Sequence, residues 1–334
     1  MAGKITNIEK LQDVILKDGR TDDIVIPVMG LTKAGKSTFI NRLLSDTTLN
    51  TRVEVGVRLV SCTASVYPVV VSEVPLKCRQ LREILQGRRI ILVDTPGFDD
   101  TYTGNGRILI RLSQWLEKSY RRGKLIGGII YIHNISNDSF PHSALKNLDI
   151  FTKLCGEKAM NLVRLVTTKW ERLDTVRQGE DRLSELQESF WKPLIEDGAL
   201  THQVRPENGP HFHYPPPTLS STDSITFEDP WGIITNILTF TDERDRKIQI
   251  QDELVSQRRF LIETEAGQSV GSSLNNTLKE LKKEKRRGQE SAAICPAEDL
   301  YKHRDNIKRL TEQIDLLQPT LSQRTMRLVK KLGF

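Results

Sequence analysis

The chain has 334 residues, of which 37% are hydrophobic and 28% charged, and its formal net charge is +6. That length holds one large domain with an extension, or two domains. The mild charge does not by itself indicate nucleic acid, and no apolar run approaches the roughly 20 residues that cross a bilayer, so neither a nucleic-acid partner nor a membrane span is expected.

The opening MAGKITNIEK has no apolar signal-peptide core, and Ala2 stands where N-myristoylation needs glycine. Ile5, Ile8, Leu11 and Ile15 recur at helical intervals, which predicts an amphipathic helix over 4–17 within an N-terminal segment, 1–21. Strands and helices then alternate. Strands are expected over 24–29, 64–71, 89–94, 125–133 and 162–167, and helices over 36–44, 107–121, 143–154 and 176–196. This order predicts an α/β fold over 22–240, a mostly parallel sheet covered by helices on both faces.

The first strand runs into GLTKAGKST, which fits G-x-x-x-x-G-K-[ST] through Gly30, Gly35, Lys36 and Ser37. Glycines let successive backbone N–H groups turn inward around anionic oxygens, and the following helix adds its positive end. The spacing assigns Gly30, Thr32, Lys33, Ala34, Gly35, Lys36, Ser37 and Thr38 to a nucleotide's phosphates. Lys36 would reach the outer phosphates and the Ser37 hydroxyl would ligate Mg²⁺. A second Mg²⁺ hydroxyl is expected between this helix and the third strand. Thr63, just before the second strand, is the favoured residue, with Thr47, Thr48, Thr51 and Ser61 as rivals.

The third strand ends in VDTPGFDD. It delivers Asp94 to the same rim, where a carboxylate holds Mg²⁺ through water, and Gly97 then offers its N–H to a γ-phosphate. Asp-x-x-Gly downstream of the phosphate loop marks a GTPase switch. The fifth strand leads into TTKWERL, where a base-reading site like Asn-Lys-x-Asp is expected. Thr168, Lys169 and Glu171 take those positions, with Thr for Asn and Glu for Asp. A carboxylate there accepts two hydrogen bonds from guanine that adenine cannot donate. The ligand expected is GTP or GDP with Mg²⁺.

Residues 204–224 are rich in Pro, His and Ser and read as a long loop, with His211 and His213 exposed rather than metal-bound. FEDPWGIITNILTF then supplies a capped helix that closes the α/β region near 240. Beyond 241 the composition turns to Lys, Arg, Glu and Gln. Leu274, Leu278 and Leu281, then Ile307, Leu310, Ile314, Leu317 and Leu321, step by three and four. Two helices folded as a hairpin are expected over 241–334, broken between Gly288 and Pro296, with Pro319 ending or kinking the second. Whether the hairpin packs on the first domain or reaches a second chain stays open. Cys62, Cys78, Cys155 and Cys295 are scattered with no C-x-x-C pair, which suits reduced thiols. The closing KKLGF carries no prenylation cysteine, and a cytoplasmic protein is expected.

Taken together, the residues 30–37, Thr63, DTPGFDD, GGIIYIHNIS, KNLDIFTKLCG and LVRLVTTKWERL resemble the GIMAP-like, Toc and septin-related branch of the translation-factor-class GTPases. They are most similar to the fungal G-domain proteins of that branch. The resemblance covers about 22–240 and extends less specifically to IQIQDELV and ETEAGQSV in the tail. It implies a P-loop GTPase fold and a cytosolic GTP switch that dimerises through its G domains. Asn134 stands where such relatives often carry Arg.

Phe98 follows the switch glycine where many small GTPases place a water-orienting Gln. Hydrolysis is then slow or aided by another group. Lys33 is the first candidate, because guanylate-binding large GTPases carry an Arg finger within the phosphate loop; its other reading is a solvated lysine. The catalytic set is Lys33, Lys36, Thr63 and Gly97. Asp99 and Asp100 are candidates to place water, Arg107 to reach a partner's nucleotide, and His133 to touch base or partner unless it is structural. The alternatives are a GTP-binding scaffold with negligible turnover, an ATPase, and a dynamin-like protein. The last would use the six basic residues of LKELKKEKRR, 278–287, on an anionic membrane.

Overall fold

The computed structural model describes residues 20–47, 66–97, 104–204, 226–240, 247–290 and 297–331. The expected helix over 4–17, Thr48, Thr51, Ser61, Thr63, Phe98, Asp99, Asp100, most of the 204–224 loop with His211 and His213, and Cys62 and Cys295 lie outside the described residues. The strands are β1 (Ile24–Gly30), β2 (Tyr67–Val71), β3 (Ile90–Asp94), β4 (Leu125–Ile126), β5 (Ile129–Asn134), β6 (Val163–Thr168), β7 (Leu200–Val204) and β8 (Phe227–Glu228). The helices used below are α1 (Lys36–Ser45), α2 (Arg79–Leu85), α3 (Asn105–Arg121), α4 (His142–Cys155), α5 (Val176–Glu185), α6 (Lys192–Glu196), α7 (Pro230–Thr239), α8 (Glu265–Glu290), α9 (Ala297–Leu317) and α10 (Leu321–Lys331).

One sheet runs in the order β2-β3-β1-β5-β6-β7-β8, with β4 also paired to β1. Every pairing is parallel except that of edge strand β2 with β3. β1 is buried along its whole length, because helices cover both faces and the strand carries no solvent-facing alternation. On one face Phe39, Ile40 and Leu43 of α1 share a cluster with Ile233, Ile234 and Ile237 of α7. Asp229 starts α7 by accepting from the Trp231 and Gly232 N–H groups at 2.7 and 3.0 Å, as a cap should. The other face collects Ile108, Leu109 and Leu112 of α3 with Leu148 and Phe151 of α4.

Ala266, Val270 and Leu274 of α8 and Leu317 of α9 lie in that same second cluster. The two long helices pack on each other and α8 seats on α3 and α4, so the hairpin lies back against the sheet domain. Burial of Val270, Leu274 and Leu317 contributes roughly 1.5–3 kcal/mol each, and Ala266 less. α8 ends at Glu290 and α9 begins at Ala297, on either side of the break expected between Gly288 and Pro296, and Pro319 separates α9 from α10.

Three expectations need correction. The single strand over 125–133 is two, parted at Gly127–Gly128. A Cβ on Gly127 would lie 2.2 Å from Ile24 Cγ2, and one on Gly128 2.2 Å from Ile237 Cγ2. Here the chain passes too close to its neighbours for any side chain. The helix over 176–196 stops at Glu185 and passes through a π turn, Leu186–Phe190, before α6. Fully buried Trp191 donates its N–H to the Leu186 carbonyl at 2.7 Å, five residues back, and Pro193 has no N–H to continue the ladder. Finally α2, β7 and β8 were not expected; all are short and half polar.

Candidate nucleotide-binding site

β1, β3, β5 and β6 end on one rim of the sheet, where crevices in parallel α/β sheets open. Gly30 closes β1 with φ +130, and a Cβ there would sit 2.2 Å from the Ile132 carbonyl of β5. The loop then curls. Ala34 N–H donates to the Leu31 carbonyl at 3.2 Å, Lys33 sits at φ +61 and Gly35 at φ +102. A non-glycine residue held left-handed costs about 1–2 kcal/mol, so the loop's shape is imposed by its surroundings. Lys36 is buried, and its Nζ donates to the Gly30 and Leu31 carbonyls at 3.1 and 2.7 Å. Thr38 and Lys33 are exposed, and Ser37 is half-buried.

Ser37 and Asp94, far apart in sequence, meet here: Ser37 Oγ donates to Asp94 Oδ2 at 2.7 Å. A hydroxyl beside a buried carboxylate is a hard-oxygen donor pair of the kind Mg²⁺ takes together with phosphate oxygens and water. Among the described residues no group of three or more His, Cys, Asp or Glu forms a protein-only metal cage. The pair fits a cation that arrives with a nucleotide. Next to Asp94, Thr95 Oγ1 donates to the Val28 carbonyl at 2.7 Å, tying the exit of β3 to β1. Gly97 lies against the phosphate loop, and a Cβ on it would be 2.2 Å from Thr32 N. Only glycine lets the two loops touch.

The base-side motif docks onto the same loop. Thr168 Oγ1, buried, donates to the Ala34 carbonyl at 2.6 Å. Lys169, left-handed at φ +63, donates its Nζ to the Lys33 carbonyl. Burial first, then the charge of Arg172, with Glu171 opposing and Lys33 and Lys36 adding to it, pulls the Lys169 ammonium down to about 8. Trp170 is fully buried, with its Nε1 donating to Thr167 Oγ1 at 3.0 Å and Gly179 against its ring. That anchor turns Glu171 outward, exposed beside Lys169.

Two residues weighed for contact with a base or a partner make contacts within the chain. His133 is buried with its ring stacked on Phe140 at 5.4 Å and edge-on to Trp191 at 5.9 Å, and burial pushes it down to about 4. It is a neutral member of an aromatic cluster. Arg107 pairs with Glu312 of α9 at 3.5 Å. Asn134 holds its own loop, accepting from Ser136 N and Oγ at 3.0 and 2.7 Å. The ties made by Thr168 and Thr95 to the loop and strand before them were not anticipated. A lone hydroxyl carries no spacing signal; only its placement at a strand end hints at it.

The family described as 50S ribosome-binding GTPase matches residues 25–163, less than half of the chain. The fold is that of a P-loop GTPase G domain. No curated protein matches the sequence. Among solved structures, Toc33 from Arabidopsis thaliana in complex with Mg²⁺ and GMPPNP is 18% identical, with 72% of this chain and 93% of that one covered and a TM-score of 0.43. Toc33 from Arabidopsis thaliana with GDP and Mg²⁺ is 19% identical over 76% and 91%, at 0.40. The translation elongation factor SelB from Methanococcus maripaludis with GPPNHP is 11% identical over 55% and 29%, at 0.34. At these values the likeness assigns no function to this chain.

Proposed function

We propose that this protein binds GTP with Mg²⁺ and hydrolyses it to GDP and phosphate, acting as a cytoplasmic nucleotide-dependent switch that self-associates through its G domain. The observation that carries this reading is the meeting of Ser37 Oγ and the buried Asp94 carboxylate at 2.7 Å beside a loop that curls through positive φ at Gly30, Lys33 and Gly35. Hard-oxygen donors next to such a nest suit a polyphosphate that arrives with Mg²⁺. In this reading Ser37, Asp94 and Thr63 hold Mg²⁺, Gly97 senses the γ-phosphate, and Thr168, Lys169 and Glu171 select guanine.

Lys33 is the proposed source of catalytic charge, standing exposed at the loop's mouth. Its compact ammonium stabilises spread phosphoryl charge less than a planar guanidinium does. The helical hairpin is the proposed output. Gly104, φ +68, enters α3 ten residues after Asp94, and a Cβ there would meet Gln313 of α9 at 2.2 Å, while Gly106 faces Leu274 of α8 at 3.4 Å. A shift at the start of α3 would therefore reach both hairpin helices. A second reading, contact with an anionic membrane, is favoured by Lys279, Lys282, Lys283 and Arg286, all exposed on α8. Co-sedimentation with anionic vesicles that is lost at high salt would support it.

The test of the leading reading is GTP turnover per molecule, with Mg²⁺, over a wide range of protein concentration. Specific activity that climbs with concentration supports hydrolysis completed by a second copy. Flat, low turnover at every concentration contradicts it.

A further inference from the structure

Helix α3 begins with its polar groups poorly satisfied. Gly104, φ +68, holds the N-cap position, and among the described residues no side chain caps the helix. The first helical bond runs from the Ile108 N–H to the Gly104 carbonyl at 3.3 Å. The N–H groups of Asn105, Gly106 and Arg107 therefore have no acceptor within the helix. Asn105 stands beside His142, the first residue of α4, so both helices start on the side of the sheet where β5 ends.

An acceptor lies against these donors. A Cβ on Gly104 would be 2.2 Å from Gln313 Oε1 of α9 and 2.4 Å from its Nε2. Gln313 Oε1 is buried and has no hydrogen-bond partner. Buried acceptors are rarely left so, because the lost hydration is not repaid. Gln313 also keeps its place: Ile314 and Leu317 pack with the core, and Glu312 pairs with Arg107 at 3.5 Å. Gly104 has the backbone freedom that α9 lacks.

Unsatisfied donors in contact with an unsatisfied acceptor specify two states of this corner. In the one described, α3 is uncapped. A small rotation at Gly104 brings an N–H of the first turn onto Gln313 Oε1, and the hairpin then caps α3 from outside. Gly97, packed on Thr32, is the last described residue before Gly104. We infer that Gln313 is a positioning residue that makes this bond when a γ-phosphate engages Gly97, so that the third phosphate and the hairpin stabilise one another. The inference rests on the GTP reading above. A bond made in one nucleotide state alone shifts the ratio of the two affinities, and the hairpin's hold on α3 changes by the same factor.

Gln313→Met keeps the length of the side chain and removes the acceptor. Gln313→Glu keeps an acceptor, and its charge suits a helix N-terminus. The full-length wild type and both variants are titrated by calorimetry, with Mg²⁺, against the GTP analogue GMPPNP and against GDP. Gln313→Met should bind GMPPNP about fivefold more weakly and GDP unchanged. Without nucleotide it should melt no lower than the wild type, since it loses an orphaned buried atom. Gln313→Glu should bind GMPPNP at least as tightly as the wild type. Equal loss for both nucleotides, no loss in Gln313→Met, or Gln313→Glu behaving like Gln313→Met would each overturn the inference and leave the GTP reading standing. A wild type that binds neither nucleotide would sink both.

Discussion

The two halves of the proposed nucleotide site are built differently. The phosphate half is made of backbone held by contacts that tolerate no extra atom: Gly30 against the Ile132 carbonyl, and Gly97 against Thr32 N. The base half is made of side chains on one short segment. Thr168 and Lys169 are fixed by the carbonyls of Ala34 and Lys33, and Trp170 by burial, but Glu171, proposed to read the base, is exposed. The difference teaches how labour is divided. Close packing of backbone presets the shape proposed to take a phosphate chain, whereas the proposed discrimination between bases would rest on a single carboxylate whose surroundings do little to fix it.

The comparison breaks most severely at Gly30. Its Ala variant puts a Cβ into a parallel strand's carbonyl on a backbone of φ +130. Overpacking and left-handed strain together should lower stability by about 3 kcal/mol or more, read as a large drop in melting temperature with or without nucleotide. Thr168→Val separates the halves more gently. It removes the hydroxyl bond to the Ala34 carbonyl, worth about 1 kcal/mol. Equilibrium titration should show GDP and ADP weakened alike, by roughly fivefold, because the tie serves the phosphate loop and not the base.

A third effect is one of pH. Lys169 titrates at about 8 in the free protein, below its ordinary 10.5. A bound anion favours the charged ammonium and raises that value, so binding takes up a proton above pH 8. GDP affinity should therefore fall as pH rises from about 7.5 to 9.5, by up to roughly tenfold per unit. Lys169→Arg should flatten the slope. Folding moves the other way. The native side chain loses its proton at lower pH than the unfolded chain, so its contribution to stability grows between about pH 8 and 10.5.

The phosphate half was legible because its chemistry is written in consecutive residues. Gly30, Gly35, Lys36 and Ser37 announce the loop, and an apolar run ending at Asp94 announces the opposite wall. The base half was legible only in part, since TKWE departs twice from the expected pattern. Nothing local pairs Thr168 with Ala34, or Gln313 with Gly104, because such contacts depend on how separate elements pack rather than on any period within one. The hairpin's a/d leucines predicted the helices correctly, and Leu274 and Leu317 went into the sheet domain's core. Apolar spacing reports a buried face and does not name what buries it. The short β7 and β8 carry too few residues for alternation to register, and the twin glycines at 127–128 interrupt a run that hydrophobicity alone joins.

The measurement that bears most directly on this division is the affinity of the intact protein and of Glu171→Gln for GDP and for ADP, by calorimetry with Mg²⁺. The account predicts that the wild type binds GDP far more tightly than ADP. It also predicts that Glu171→Gln loses most of that preference while its ADP affinity stays where it was. Equal binding of the two nucleotides by the wild type, or an unaltered preference in the variant, would contradict it.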